Sequence, residues 1–167
     1  MKAIRSSPEL YAHAICIERE AAERYAEFAE RLADLGKEDV AEIFSRLAAL
    51  ESGHLEALLE RSAGVALPEV PPGSYRWIES GPPDDAAHEL VLRLMTPRLA
   101  LNIALGAELR AEAFFEHAMM TAGDPALRAL AGEMAQEELE HVVAIEKLIE
   151  ALPQPADDWE AAQRAIR

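Results

Sequence analysis

Four stretches of this chain repeat apolar residues at alternating spacings of three and four, and each stripe is broken by acidic or imidazole side chains. The first reads Tyr11, Ala14, Glu18, Ala21, Tyr25, Phe28, Leu32, Leu35, and the second Val40, Phe44, Leu47, Glu51, His54, Leu58. The third reads Leu101, Ala104, Glu108, Ala111, Phe115, Ala118, Ala122, and the fourth Leu127, Ala131, Met134, Glu138, His141, Ile145, Leu148, Leu152. That spacing is the buried stripe of a bundle helix. The stretches are rich in Ala, Leu, Glu and Arg and poor in β-branched residues, which favours helix throughout.

The punctuation fits four helices. Ser7-Pro8-Glu9 offers a cap, a proline at the first helical position and an acid in the first turn, and Thr96-Pro97 and Asp124-Pro125 repeat the device. Helices are predicted at about 8–35, 38–62, 97–122 and 125–152, with Gly36 and Gly123 at the C-caps of two short, hairpin-forming turns. The crossover 64–96 holds Pro68, Pro71, Pro72, Pro82 and Pro83, which exclude a regular helix over 64–84. A short helix is expected at 85–95 and another at 157–166. The extended part is long enough to travel a bundle of about 35 Å, as a parallel second and third helix require. The fold class is therefore all-α, a single domain over 1–167 made of two antiparallel hairpins joined by a long crossover.

Charge and cysteine content remove several functions. Asp and Glu total 31 against 16 Lys and Arg, a formal charge of -15, which repels phosphate backbones and attracts cations. No nucleic-acid partner is expected. The single cysteine, Cys16, excludes an internal disulfide, a four-thiolate iron centre and a structural zinc ribbon within these residues. No run approaches 18 apolar residues, so no membrane span is expected, and the N-terminal residues lack a signal core. A cytoplasmic location follows as an expectation.

Glu18, Glu51, His54, Glu108, Glu138 and His141 are the residues that break the stripes, and no Lys or Arg shares those stripes. Buried carboxylates without compensation cost several kcal/mol or neutralise themselves. Glu18 lies 18 residues before Gly36, and Glu51 and His54 lie 15 and 18 after it; Glu108 lies 15 before Gly123, and Glu138 and His141 lie 15 and 18 after it. Each hairpin thus brings its three groups within about one turn of the same level, roughly 25 Å from its turn. The i, i+3 spacing puts each Glu-x-x-His pair on one helix face. The two hairpins carry the same pattern, Glu then Glu-x-x-His, an internal duplication at the level of the site. Oxygen and imidazole donors without thiolate suit two divalent cations, iron or manganese before copper or zinc.

These residues resemble the ferritin-like superfamily, and within it the rubrerythrins. Glu18-Arg19-Glu20-Ala21-Ala22-Glu23-Arg24-Tyr25 is similar to their first metal-binding helix, a ligand Glu followed by Ala at +3 and Tyr at +7; Glu51-Ser52-Gly53-His54 and Glu138-Leu139-Glu140-His141 are similar to their later motifs. The resemblance covers about 8–152. It implies a ferritin-like four-helix bundle and a non-haem centre of two iron ions, with Glu18, Glu51, His54, Glu108, Glu138 and His141 as ligands and Glu51 and Glu138 bridging. It implies that Tyr25 hydrogen-bonds a ligand carboxylate. It also implies an oxidoreductase that reacts with H2O2 or O2, as a peroxidase or ferroxidase, in a homodimer. Rubrerythrins usually carry a rubredoxin domain with two Cys-x-x-Cys pairs; these residues have none, so an external electron donor is implied. Their third helix usually has a second Glu three residues after the first, where this chain has Ala111. The two-His, four-Glu set is closer to the oxidases and hydroxylases of the wider superfamily. Iron storage of ferritin type and O2-dependent hydroxylation are the alternative functions.

Glu112 is a candidate seventh carboxylate, and Gly53 is read as opening room beside the metals or as a packing glycine. Cys16 is read as a buried inert thiol, His13 and His117 as solvated, and Asp85-Ala86-Ala87-His88 as decoration of a helix start. Tyr75, Trp77 and Ile78 in the crossover are read as covering a pocket or contacting a second subunit.

Overall fold

The computed structural model describes residues 4–71, 73–75 and 92–153. Four helices account for most of them: α1 Ser7–Asp34, α2 Glu38–Arg61, α3 Pro97–Thr121 and α4 Pro125–Ala151. Their ends lie within one residue of the ranges read from sequence. The expected helix at 157–166 and most of that at 85–95 lie outside the described residues.

Side-chain caps set three of the starts. Thr96 Oγ1 accepts from the Leu99 amide at 3.2 Å and Asp124 Oδ2 from the Leu127 amide at 2.8 Å. At α1 the cap is Ser6 rather than Ser7: its hydroxyl accepts from Glu9 N at 3.3 Å, which places Ser7 and Pro8 in the first turn. Gly36 ends α1 with φ of 71°, and the bonds Gly36 N to Ala33 O and Lys37 N to Leu32 O close a Schellman turn that only glycine enters without strain. Gly123 does not repeat this role. Its φ is not positive, and α3 stops in extended backbone at Ala122, whose carbonyl accepts from the Arg128 guanidinium at 2.9 Å.

Three long-range contacts fix the helix directions. Lys37, just before α2, donates to the carbonyl of Met95, just before α3, so α2 and α3 run parallel. Arg98 at the start of α3 donates to the carbonyls of Leu152 and Pro153 past the end of α4. Arg61 at the end of α2 pairs with Glu133 and Glu137 in the first half of α4. The result is a ferritin-like four-helix bundle of two antiparallel hairpins. Among the described residues no helix is long and apolar enough to cross a membrane.

The apolar core is split. One cluster gathers Leu10, Ala14, Phe114, Phe115, Leu127 and Met134; the other gathers Tyr25, Leu32, Phe44, Met95, Leu101 and Ile145. Burying a side chain such as Phe44 or Phe115 contributes about 2–3 kcal/mol. Between the clusters lies a belt of polar residues that such a core would ordinarily exclude.

Candidate metal centre

The belt consists of the six residues that interrupt the stripes. Glu18, Glu51, Glu108, Glu138 and His141 are buried, and His54 is about one-third exposed, with 34% of its side-chain surface accessible. The structure gathers donor atoms of Glu51, His54 and His141 within 4.8 Å of one another, and does the same for Glu108, Glu138 and His141. His141 belongs to both groups. Glu18 joins neither trio, but it is buried beside Glu51 and lines a cavity of about 150 Å3 with His54 and Glu138. Glu112 is half-buried and also stands outside both trios.

Hydrogen bonds orient the second trio. The Tyr25 hydroxyl donates to Glu108 Oε1 at 2.9 Å, and His141 Nδ1 lies 3.2 Å from Glu108 Oε2 and 3.4 Å from Glu138 Oε2. Tyr25 is fully buried, so its ring fills core while its hydroxyl has one fixed acceptor. The first trio is not closed in this way. His54 Nδ1 stands 4.0 Å from Glu51 Oε2, beyond hydrogen-bond reach, and Glu51 Oε1 and His54 Nδ1 are both buried without a hydrogen-bond partner among the described residues. Orphaned buried donor and acceptor atoms are costly. A carboxylate and an imidazole whose donor atoms lie within 4.8 Å of one another are what a divalent cation satisfies.

The proton affinities reflect the crowding. Burial pushes the Glu18 carboxyl well up, helped by its hydrogen bond to Glu51 and the charges of Glu138, Glu51 and Glu108. Burial also raises Glu138, to about 7, against the opposing hydrogen bond from His141. Burial acts to lower His141, but its bonds to Glu108 and Glu138 override that and hold it protonated up to about 10. Glu51 is the exception: burial opposes its ionisation, yet the neighbouring His54 and Glu18 and the charge of His141 keep it below the usual carboxylate value. Tyr25 is pushed well above an ordinary phenol, by burial first and then by the charges of Glu108 and Glu51. Without a cation the belt holds protons in the places where a cation would sit.

A cavity of about 30 Å3 adjoins the belt on the α1–α3 side, walled by Glu51, Glu108 and Glu138 and by Ala107 and Ala111. It has room for one water-sized molecule. Tyr75 of the crossover lines its edge, so the covering role read for Tyr75 has a place; Trp77, Ile78 and His88 lie outside the described residues. The sequence reading missed how Tyr75 is held. Both oxygens of Glu20 accept backbone amides, Gly73 N at 2.7 Å and Tyr75 N at 2.9 Å, and Glu20 also accepts from Cys16 Sγ at 3.2 Å. The Tyr75 hydroxyl lies 2.6 Å from His13 Nδ1, so His13 is an anchor and not a solvated residue. Cys16 is buried and its thiol is pushed up to about 12 by burial and by Glu20, consistent with an inert role. Gly53 faces solvent, and a Cβ built there meets nothing within 4 Å, so it neither relieves packing nor opens space beside the belt.

Comparison with known proteins agrees with this fold. The rubrerythrin family profile matches residues 9–71, and a ferritin-like domain profile matches residues 99–165. The crystal structure of an uncharacterized conserved protein from Magnetospirillum magnetotacticum is similar at 35% identity and a TM-score of 0.73, covering 90% of this chain and 98% of that one. No curated protein matches the chain. With one hairpin matched by each profile and a solved relative similar along almost its whole length, the chain belongs to the ferritin-like superfamily as a rubrerythrin-like member.

Proposed function

We propose that the protein is a di-iron oxidoreductase of rubrerythrin type, with Glu18, Glu51, His54, Glu108, Glu138 and His141 as the metal ligands and H2O2 or O2 as the oxidant. The observation that carries this reading is the pair of metal-sized donor trios joined at His141, in a core where Glu51 Oε1 and His54 Nδ1 have no other partner among the described residues. Two iron ions bound there supply two electrons to H2O2 or O2; manganese suits the same donors.

The chain's own residues have definite tasks in this scheme. Glu138 and Glu18 release protons as cations enter, and His141 gives up the Nδ1 proton it otherwise shares with Glu108 and Glu138. Tyr25 keeps Glu108 in one rotamer by donating to Oε1, which leaves Oε2 for the centre. Ala111, three residues after Glu108, leaves the 30 Å3 cavity open to a molecule the size of water or peroxide. With one cysteine in the sequence, no cysteine-ligated iron centre lies within these residues to deliver electrons, and the scheme draws them from a separate donor. A homodimer is part of the proposal, supported by apolar side chains exposed on the outer faces of α3, including Leu109 and Met120.

The test is anaerobic reconstitution with Fe(II) followed by stopped-flow mixing with O2 or H2O2. About two irons per chain are expected, with a marked loss in Glu51→Ala or His54→Ala. Faster oxidation by peroxide supports the peroxidase, and faster oxidation by O2 supports the ferroxidase. A Glu51→Ala variant that keeps its full metal content contradicts the ligand assignment.

A further inference from the structure

The seam between α2 and α4 is bridged by ion pairs along one half, over a cavity of about 150 Å3, and opens more widely along the other. Arg61 pairs across it with Glu133 at 2.8 Å and Glu137 at 3.7 Å, and midway the rings of His54 and His141 stack. Beyond that stack, toward the start of α2, the helices leave a groove of about 380 Å3. Ile43, Leu47 and Leu50 line it from α2, Ile145 and Leu148 from α4, and Leu101 from α3. Leu50 and Leu148 are 42% and 53% exposed. The groove also reaches Glu51, Glu108 and His141, so its apolar walls lead from the surface to three groups of the belt.

We propose that this groove binds a neutral, mostly apolar organic molecule whose polar end meets Glu51, Glu108 or His141, and that it is the organic subsite of the centre. The last clause rests on the metal-centre reading; the binding itself does not. Three observations select the occupant. The volume lies in the range of small-molecule pockets, and a mostly apolar wall with a few convergent polar groups is their usual make-up. The rim is acidic, with Asp39 and Glu42 lining it and Arg46 engaged with Glu42. That rim disfavours an anionic ligand. Finally, the groove penetrates to buried side chains that a protein surface laid across it does not touch. The 30 Å3 cavity on the α1–α3 side is too small for such a molecule, so the two seams suit reactants of different size.

The test is calorimetric titration of the full-length, metal-free protein with 1-octanol and with octanoate. Two variants at exposed positions of α4 locate the site: Ala144→Trp, which fills the groove, and Val143→Trp, which lies outside it. The proposal expects one octanol per chain, at least tenfold weaker binding in Ala144→Trp, unchanged binding in Val143→Trp, and octanoate at least tenfold weaker than octanol. It is overturned by absent octanol binding, by Ala144→Trp binding like the parent, by octanoate binding as well as octanol, or by a dimer in sedimentation that Ala144→Trp splits. A second measurement separates this inference from the metal reading. In Co(II)-loaded protein, octanol is expected to shift the visible Co(II) bands, and bound Co(II) with unmoved bands contradicts the subsite. If Co(II) does not bind while the octanol results hold, the binding site stands and the metal-centre reading fails.

Discussion

The rings of His54 and His141 lie face to face, 4.5 Å between centroids and 12° from parallel, although the residues sit on different hairpins. His141 also belongs to both donor trios. Replacing His141 therefore removes a donor from each. His141→Ala is expected to lower bound iron from about two per chain to less than one, measured by elemental analysis after dialysis; full occupancy contradicts the shared-donor geometry.

The belt sets the sign of the pH dependence of the metal-free protein. Glu138 keeps its proton to about 7 when folded, against 4.5 for an unperturbed Glu, so its contribution is present below 4.5 and lost as pH rises through 7. His141 keeps its proton to about 10, against 6.5, so its contribution is present below 6.5 and lost as pH rises through 10. Glu51 acts oppositely, losing its contribution only on acidification below the normal carboxylate range. The thermal midpoint is thus expected to fall steadily between pH 5 and pH 9. The Glu138 shift alone corresponds to about 3 kcal/mol, or roughly 6–12 °C for a chain of this size. Metal loading, which replaces the protons, is expected to reverse the slope. Scanning calorimetry with and without metal checks both signs.

Tyr25→Phe keeps the ring that fills the core and deletes the hydroxyl that bonds Glu108. A buried carboxylate oxygen losing its donor costs about 1–3 kcal/mol. Chemical denaturation of the metal-free variant is expected to show a loss in that range with a native far-ultraviolet spectrum.

Glu20 ties the crossover to α1 through two backbone amides. Hydrogen bonds to a charged acceptor contribute about 1.5–3 kcal/mol each. In Glu20→Gln, amide exchange at Gly73 and Tyr75 is expected to accelerate at least tenfold while the α1 amides keep their protection; unchanged exchange contradicts the tether.

Gly53 has no structural claim on its position. Gly53→Ala is expected to stabilise the protein by about 0.5–1 kcal/mol and to leave metal content unchanged. A loss of bound metal in this variant contradicts the view that Gly53 stands apart from the belt.

The helices and the belt were legible because both depend on local pattern. A stripe of period 3.5 names the inward side chains, and counting from Gly36 places Glu18, Glu51 and His54 within about one turn of the same height whatever else the chain does. The misreadings share another cause. Ser6 and Ser7 are equivalent on paper, and only the bond to Glu9 N selects the cap. Gly123 looks like Gly36, but Arg128 occupies the Ala122 carbonyl and no left-handed residue is used. Glu20, two residues past Glu18, falls outside the stripe, and its partners Gly73 and Tyr75 are more than fifty residues away. The α2–α4 groove was equally hidden, since a stripe says which residues turn inward and nothing about how far apart two helices stand.

Anomalous diffraction at the iron edge, from crystals grown anaerobically with Fe(II), tests the central claim most directly. The account predicts two iron peaks inside the bundle, between Glu18, Glu51, His54, Glu108, Glu138 and His141, each within coordination distance of a histidine nitrogen. Crystals that show no peak among these six side chains, or iron only on the acidic surface, contradict it.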